Sequence, residues 1–107
     1  MSGTFSAKVL ASGTLPTTIG DLYTVPALTQ TIIKGITLVS TASGSVIINL
    51  YVNDGGQRRI IPKDLEFGAA YLLETDVVYT LAAGEKIQGY CDTLSTVDFT
   101  IHGVEEV

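Results

Sequence analysis

The chain has 107 residues, a formal net charge of −5, and 42 residues of the types that suit a pleated, half-buried surface: Thr, Val, Ile, Tyr and Phe. The length predicts one domain over residues 1–107, and the acidic balance argues against general attraction to nucleic acid or an anionic membrane. A single cysteine, Cys91, excludes an intrachain disulfide and with it the disulfide-rich secreted scaffold. The N-terminus lacks a basic segment followed by an apolar one, and no long apolar run occurs. We therefore expect no signal peptide, no membrane span and synthesis in a cytoplasm.

The first quarter of the chain predicts two strands separated by a loop. Apolar and small residues alternate with polar ones over residues 4–11, which is the period of a strand. Residues 13–20 form a loop that contains Pro16, a residue that cannot donate to a sheet. Residues 22–25 then predict a short strand that ends at Pro26.

The strongest β signal covers residues 31–53, where two alternating segments flank a small polar link at 40–45. In the second segment Val46, Ile48, Leu50 and Val52 share one face, and the opposite face carries Ile47, Asn49, Tyr51 and Asn53. In the first segment one face carries Ile32, Ile36 and Leu38 and is interrupted by Lys34, and the opposite face carries Ile33, Thr37 and Val39. We interpret the two segments as an antiparallel hairpin at the centre of the domain.

The second half of the chain continues the same pattern. Residues 53–56, Asn-Asp-Gly-Gly, predict a tight turn, so residues 57–61 should fold back beside the preceding strand until Pro62 ends it. In residues 63–74 Asp64 could cap a short helix, but Gly68 weakens that interpretation and we favour a loop entering a strand. Further strands are predicted at 76–81, 86–91 and 97–102.

The sequence thus predicts seven to nine short strands joined by turns and loops. That pattern is typical of an all-β, single-domain antiparallel β-sandwich of the jelly-roll or Greek-key type. In the last two strands the inward positions are Ile87, Gly89 and Cys91, and then Val97, Phe99 and Ile101.

No constellation of residues predicts catalysis. His102, the single histidine, lies outward and four residues from Asp98, a distance along a strand of about 13 Å, which is too far for a base and its orienting group. Cys91 is placed on a core-facing side, where a thiol behaves as a small hydrophobe. The acidic residues near the loops lack the alternating arrangement of a calcium loop. We expect no catalytic residues, no cofactor and no bound metal.

The segment 57–63, QRRIIPK, holds three of the six basic residues. It predicts either a solvated edge strand protected by charge or a docking site for an acidic partner. Nucleic-acid binding is not expected, because neighbouring aromatic residues and a net positive domain are both absent.

The segments TLPTTIGDLYTVPA, IIKGITLVST, VIINLYVND, RRIIPKDL, LAAGEKIQGY and VDFTIHGVEE together resemble the small β-sandwich virion proteins of tailed bacteriophages and prophages, over roughly residues 12–106. That resemblance implies a structural role without catalysis: a capsid decoration (cement) protein, or alternatively a tail, collar or baseplate component. It implies a homo-oligomer, with a trimer favoured, that docks on the major capsid protein or other virion proteins.

A carbohydrate-binding module for attachment to a host surface is the alternative from a different class, although the sequence has no Trp and its five Tyr are scattered. Charged residues make up 16% of the chain against about 25% in typical domains, which suggests surface buried against other subunits. The candidate protein-contact residues come from the outer face of 46–53, the basic segment and one further tyrosine: Ile47, Asn49, Tyr51, Arg58, Arg59, Lys63 and Tyr90.

Overall fold

The computed structural model describes residues 5–68, 72–75 and 78–107, and in these residues every regular element is a β-strand. The strands are β1 (Phe5–Thr14), β2 (Gly20–Thr24), β3 (Gln30–Ser40), β4 (Val46–Asn53), β5 (Gln57–Arg59), β6 (Leu65–Phe67), β7 (Leu72–Thr75), β8 (Tyr79–Leu81), β9 (Lys86–Cys91) and β10 (Val97–Glu106). None of the described residues lies in a helix that is long and apolar enough to cross a membrane.

The strands form two antiparallel sheets that pack face to face. In the first sheet β1, β10 and β3 lie side by side, and β7 and β8 both pair with the far edge of β3. In the second sheet β2, β9 and β4 lie side by side, and β5 and β6 both pair with β4. Strand β1 therefore pairs with β10, β2 with β9, β3 with β7 and β8, and β4 with β5 and β6. This nested pairing is that of a jelly roll, and it confirms the predicted all-β sandwich.

The core lies between the two sheets and is built from the inward positions of the alternating strands. Ile33, Ile36 and Leu38 come from β3, Ile48 and Leu50 from β4, and all five are fully buried. The predicted inward positions of β9 and β10 are also buried. Cys91 has no exposed surface, and its thiol donates to the carbonyl oxygen of Thr93 at 3.1 Å. Its predicted core placement is confirmed.

The predicted central hairpin is wrong, because β3 and β4 lie in different sheets. Both strands have a strongly apolar face, and the two faces meet across the core. The link between them crosses from one sheet to the other and is tied to the start of β10, since Thr41 N donates to Thr96 O at 2.7 Å. Two alternating segments with a short polar link are compatible both with a hairpin inside one sheet and with a connection between two sheets.

The interruption at Lys34 is a β-bulge. His102 of β10 pairs with Gly35 and Gly103 pairs with Ile33, so Lys34 is one extra residue on β3. Because the bulge shifts the alternation by one, Ile33 and Ile36 both face the core while Lys34 stays exposed. The prediction that Ile33 lies on the face opposite Ile36 is therefore wrong.

The remaining predicted elements are largely confirmed. The turn at 53–56 joins β4 to β5, with Gly55 at a φ of 111° and its N–H donating to Asn53 Oδ1 at 3.2 Å. The segment 63–74 forms no helix among its described residues; it contains β6 and most of β7, so it is more strand than the predicted loop, and its residues 69–71 lie outside the described part. The first strand is longer than predicted and its residue 4 lies outside the described part, as do residues 76 and 77 of the strand predicted at 76–81.

Candidate interaction surface

The outer face of the second sheet gathers most of the predicted contact residues. Asn49 on β4 pairs with Tyr90 on β9, and Tyr51 two positions along β4 pairs with both Arg59 on β5 and Gln88 on β9. Residues that pair directly across a sheet point to the same side. The alternation of β4 therefore puts these five side chains on the face opposite the core.

Two tyrosines and an arginine form the centre of this face. The rings of Tyr51 and Tyr90 are stacked, with centroids 6.4 Å apart and an angle of 16° between their planes. The Arg59 guanidinium lies over the Tyr51 ring, 4.9 Å from its centroid, which is a cation–π arrangement. Hydrogen bonding to Tyr51 raises the pKa of the Tyr90 hydroxyl. We call Asn49, Tyr51, Arg59, Asp64 and Tyr90 the Tyr–Arg cluster.

Asn49 connects Arg59 and Asp64 through hydrogen bonds. Its side chain is only 1% exposed. Its Oδ1 accepts a hydrogen bond from Arg59 Nη1 at 2.7 Å and another from the Asp64 backbone N–H at 3.0 Å. Its Nδ2 donates to Asp64 Oδ1 at 3.1 Å. Asn49 therefore fixes Arg59 in place and does not itself reach the accessible surface.

Asp64 is the member of the cluster that the sequence did not point to. It lies between β5 and β6 at a φ of 53°, a left-handed conformation that Asp tolerates better than most residues. This conformation lets both its backbone N–H and its carboxylate reach the Asn49 amide. A helix cap and a left-handed turn residue are both common roles of Asp, so the sequence alone does not separate them.

A chain of polar side chains borders the Tyr–Arg cluster. Gln88 Oε1 accepts from Gln57 Nε2 at 2.9 Å and from Asn53 Nδ2 at 3.2 Å, and Gln88 Nε2 donates to Asp21 Oδ1 at 2.7 Å. Lys86 Nζ lies 3.0 Å from Asp21 Oδ2. The hydrogen bonds from Gln88 and Lys86 favour the charged form of Asp21 and so lower the pKa of this carboxyl.

The other predicted contact residues lie at the margins of this face. Ile47 is half-buried near the start of β4, where its N–H donates to Asp92 Oδ1 at 3.0 Å. Arg58 is exposed and its Nε lies 3.6 Å from Asp54 Oδ1. Lys63 is exposed next to Asp64. The structure thus brings together Asn49, Tyr51, Arg59 and Tyr90, and leaves Ile47, Arg58 and Lys63 around them.

A second polar network lies at the end of the sandwich where β10 finishes. The Tyr23 hydroxyl donates to Glu105 Oε2 at 2.7 Å and lies 2.8 Å from Thr31 Oγ1, and Lys8 Nζ lies 2.8 Å from Glu105 Oε1. Burial, reinforced by the Glu105 carboxylate, raises the pKa of Tyr23 to about 12. Lys8 and then Tyr23 lower the pKa of Glu105. This network ties β1, β2, β3 and β10 together across the two sheets.

Within the described residues, no group of three or more His, Cys, Asp or Glu side chains is placed to hold a metal ion, and no cavity is present. His102 is exposed on the outer face of the first sheet, next to Gly35.

No protein-family model and no curated protein matches this sequence. Among solved structures, it is similar to a chain of the acid-stable capsid of Helicobacter pylori bacteriophage KHP30, with a TM-score of 0.55 and 8% identity, covering 100% of this chain and 89% of that one. A chain of infectious bursal disease virus strain Gx gives a TM-score of 0.45 at 12% identity, covering 97% of this chain and 32% of that one. A pentameric capsid protein from metagenomic phage sequences gives 0.35 at 15% identity, covering 94% and 62%. The KHP30 likeness shows a shared fold.

Proposed function

We propose that this chain is a non-enzymatic structural virion protein, and specifically a capsid decoration (cement) protein that stabilises a phage head through protein–protein contacts. The observation that carries the proposal is the fold match to a chain of a phage capsid, which covers this chain completely and 89% of the other. The match is therefore between two chains of similar extent. A fold alone does not fix a function, so the proposal also rests on the character of the surface.

The Tyr–Arg cluster supports a role in docking. Tyr and Arg are enriched among the residues that dominate binding energy at protein interfaces. Here Arg59 is already held by Asn49 and by the Tyr51 ring, so binding would not have to order it. The proposed partner of this face is the major capsid protein or another virion protein, and Ile47, Arg58 and Lys63 would lie at the rim of the contact.

The composition supports burial of surface in an assembly. Only 16% of the residues are charged, against about 25% in typical domains. Large apolar side chains are exposed in several loops and strands, including Leu28, Leu72, Val78 and Leu94. We propose that the protein works as a homo-oligomer on the virion after synthesis in the cytoplasm of the bacterial host.

The experiment that tests the proposal is the copy number of this chain in purified particles, measured by quantitative mass spectrometry against the major shell protein. A ratio near one copy per shell subunit is expected for a decoration protein. A ratio far below one would indicate instead that the chain is a tail, collar or baseplate component. Absence from washed particles would overturn the virion role.

A carbohydrate-binding role is less well supported by the geometry. The structure does bring two tyrosines together, which the sequence left scattered. Tyr51 is only 8% exposed, however, and Arg59 lies over its ring. The pair therefore presents one partly exposed ring, Tyr90, instead of an open aromatic platform.

A further inference from the structure

The edges of the two sheets differ greatly in length. In the described part of the chain, the edges away from β1 are formed by β2, which has five residues, and by β5, β6, β7 and β8, which have three or four each. Strand β1 is an edge of ten residues that pairs with β10 on one side. No strand among residues 5–68, 72–75 and 78–107 pairs with its other side, where the backbone N–H and C=O groups have the arrangement that a further strand would pair with.

The features that usually protect an edge are largely missing from β1. Charged residues mark most of the other edge strands: Asp21 on β2, Arg58 and Arg59 on β5, Glu66 on β6 and Glu74 on β7. Strand β1 contains no proline, and its one charged residue, Lys8, has its Nζ 2.8 Å from Glu105 Oε1. The Lys8 charge is thus compensated within the protomer and does little to prevent another strand from pairing with β1.

One protective feature is present, a β-bulge between Val9 and Ala11. A bulge twists an edge and interrupts its pairing. It leaves the run Phe5–Val9 in continuous register with β10, from Glu106 to His102. At the end of this run Val9 is 57% exposed on the edge strand itself. The side chains of a strand paired beside β1 would cover part of this apolar surface.

We propose that β1 pairs antiparallel with β1 of a second copy of this chain, about a two-fold axis, so that the two sheets join into one. An antiparallel pair of identical strands is compatible with a two-fold axis, which lets the same patch meet itself. Self-pairing of β5 would set two arginines of each copy against those of the other, and among the described residues only Arg58 of the two has a carboxylate within ion-pair distance, at 3.6 Å. The one charge of β1, on Lys8, has its carboxylate partner at 2.8 Å. The pairing predicts a dimer in place of the trimer expected from the sequence.

The test uses the isolated full chain and does not depend on the virion role. Light scattering after size-exclusion chromatography should give twice the 11.3 kDa chain mass for the wild type. Ala7 is the middle residue of the run Phe5–Val9, so Ala7→Glu sets two like charges against each other at the axis, and Val9→Lys puts a charged group where pairing would cover an apolar one. Both positions are exposed, and each change should reduce the mass to that of one chain. Leu28→Lys is the matched control, because Leu28 is 91% exposed and lies outside β1, and it should remain a dimer.

Three results would overturn the proposal: a wild-type mass of one or three chains, both β1 variants still dimeric, or equal dissociation by Leu28→Lys. Circular dichroism and thermal melting confirm that each variant is folded. Hydrogen exchange at two protein concentrations adds a direct readout, since amides in β1 should exchange faster on dilution while those in β4 should not change. Particle copy number decides the virion role separately, so the two proposals can fail independently.

Discussion

At the scale of single residues, Asn49 is the side chain on which the candidate surface depends. It is buried on the outer side of a sheet, where a polar group is costly unless its hydrogen bonds are made. Both ends of its amide are used, by Arg59 and Asp64. Alternation predicted that Asn49 faces outward, but it could not predict burial there, because the covering groups come from β5 and the loop before β6.

Replacing Asn49 with alanine should therefore destabilise the fold. The Asn49→Ala change removes three hydrogen bonds and leaves Arg59 and Asp64 without their common partner, which should lower the free energy of unfolding by about 1–3 kcal/mol. Urea denaturation measures this loss. Asn53→Ala is the matched control on the same strand, since the Asn53 side chain makes only 3.2 Å bonds in a more open setting. An equal loss in both variants would contradict the role given to Asn49.

Tyr23 should make stability depend on alkaline pH. The pKa of Tyr23 is raised from 10.0 to about 12, first by burial and then by Glu105. The folded state thus keeps a proton that the unfolded chain loses near pH 10. The resulting stabilisation is fully present below that pH and disappears as the pH rises toward 12.

The Tyr23→Phe variant isolates this effect, because Phe has no proton to lose. Glu105, whose pKa Tyr23 also lowers, is ionised in both proteins throughout the alkaline range of the test. The difference in unfolding free energy between wild type and Tyr23→Phe should be constant from pH 7 to 9 and shrink between pH 10 and 12. A difference that stays constant over that range would show that the Tyr23 hydroxyl is not held as described.

At the scale of the elements, the bulge between β3 and β10 decides how the first sheet fits the core. It requires a close approach of backbones at Gly103, where an added Cβ would lie within 2.0 Å of the Ile32 carbonyl oxygen. Alternation predicted both strands but not their bulge, which depends on the partner strand, and it therefore placed Ile33 on the wrong face of β3. The same limit explains the central hairpin: the sequence predicts that β3 and β4 are strands with apolar faces, and not which strand each one pairs with.

Gly103→Ala should consequently be among the most damaging small substitutions in the chain. The new methyl group would meet backbone atoms that cannot rotate away, so we expect a loss of about 3 kcal/mol in unfolding free energy. Gly44→Ala is the control, because a Cβ at Gly44 meets nothing within 4 Å. Thermal unfolding of the two variants side by side measures the contrast, and comparable melting temperatures would refute the close approach at the bulge.

At the scale of the whole molecule, the two proposed contacts use different parts of the sandwich. The Tyr–Arg cluster lies on the outer face of the second sheet, and the β1 edge belongs to the first. A dimer formed through β1 therefore leaves both copies of the cluster free to dock on a larger particle. Two identical docking faces in one dimer strengthen attachment, because after one face binds the other is held at high effective concentration.

Arg58 and Arg59 provide a matched pair for testing which face docks. The two are adjacent on β5, both are exposed, and Glu in place of either changes the charge by the same amount. Arg59 belongs to the cluster through Asn49 and Tyr51, whereas Arg58 pairs with Asp54 at 3.6 Å on an exposed part of the strand. Exposed ion pairs contribute little to stability.

If the cluster is the docking centre, Arg59→Glu should reduce incorporation into particles about tenfold or more, which corresponds to a loss of about 1.4 kcal/mol in binding. Arg58→Glu should change incorporation little, since a rim charge affects mainly the rate and salt dependence of association. Incorporation is measured by adding each folded variant to particles that lack the protein and quantifying the bound fraction at two salt concentrations. Equal incorporation of both variants would remove the cluster as the docking site, and a larger loss for Arg58→Glu would move the contact to the β4–β5 turn.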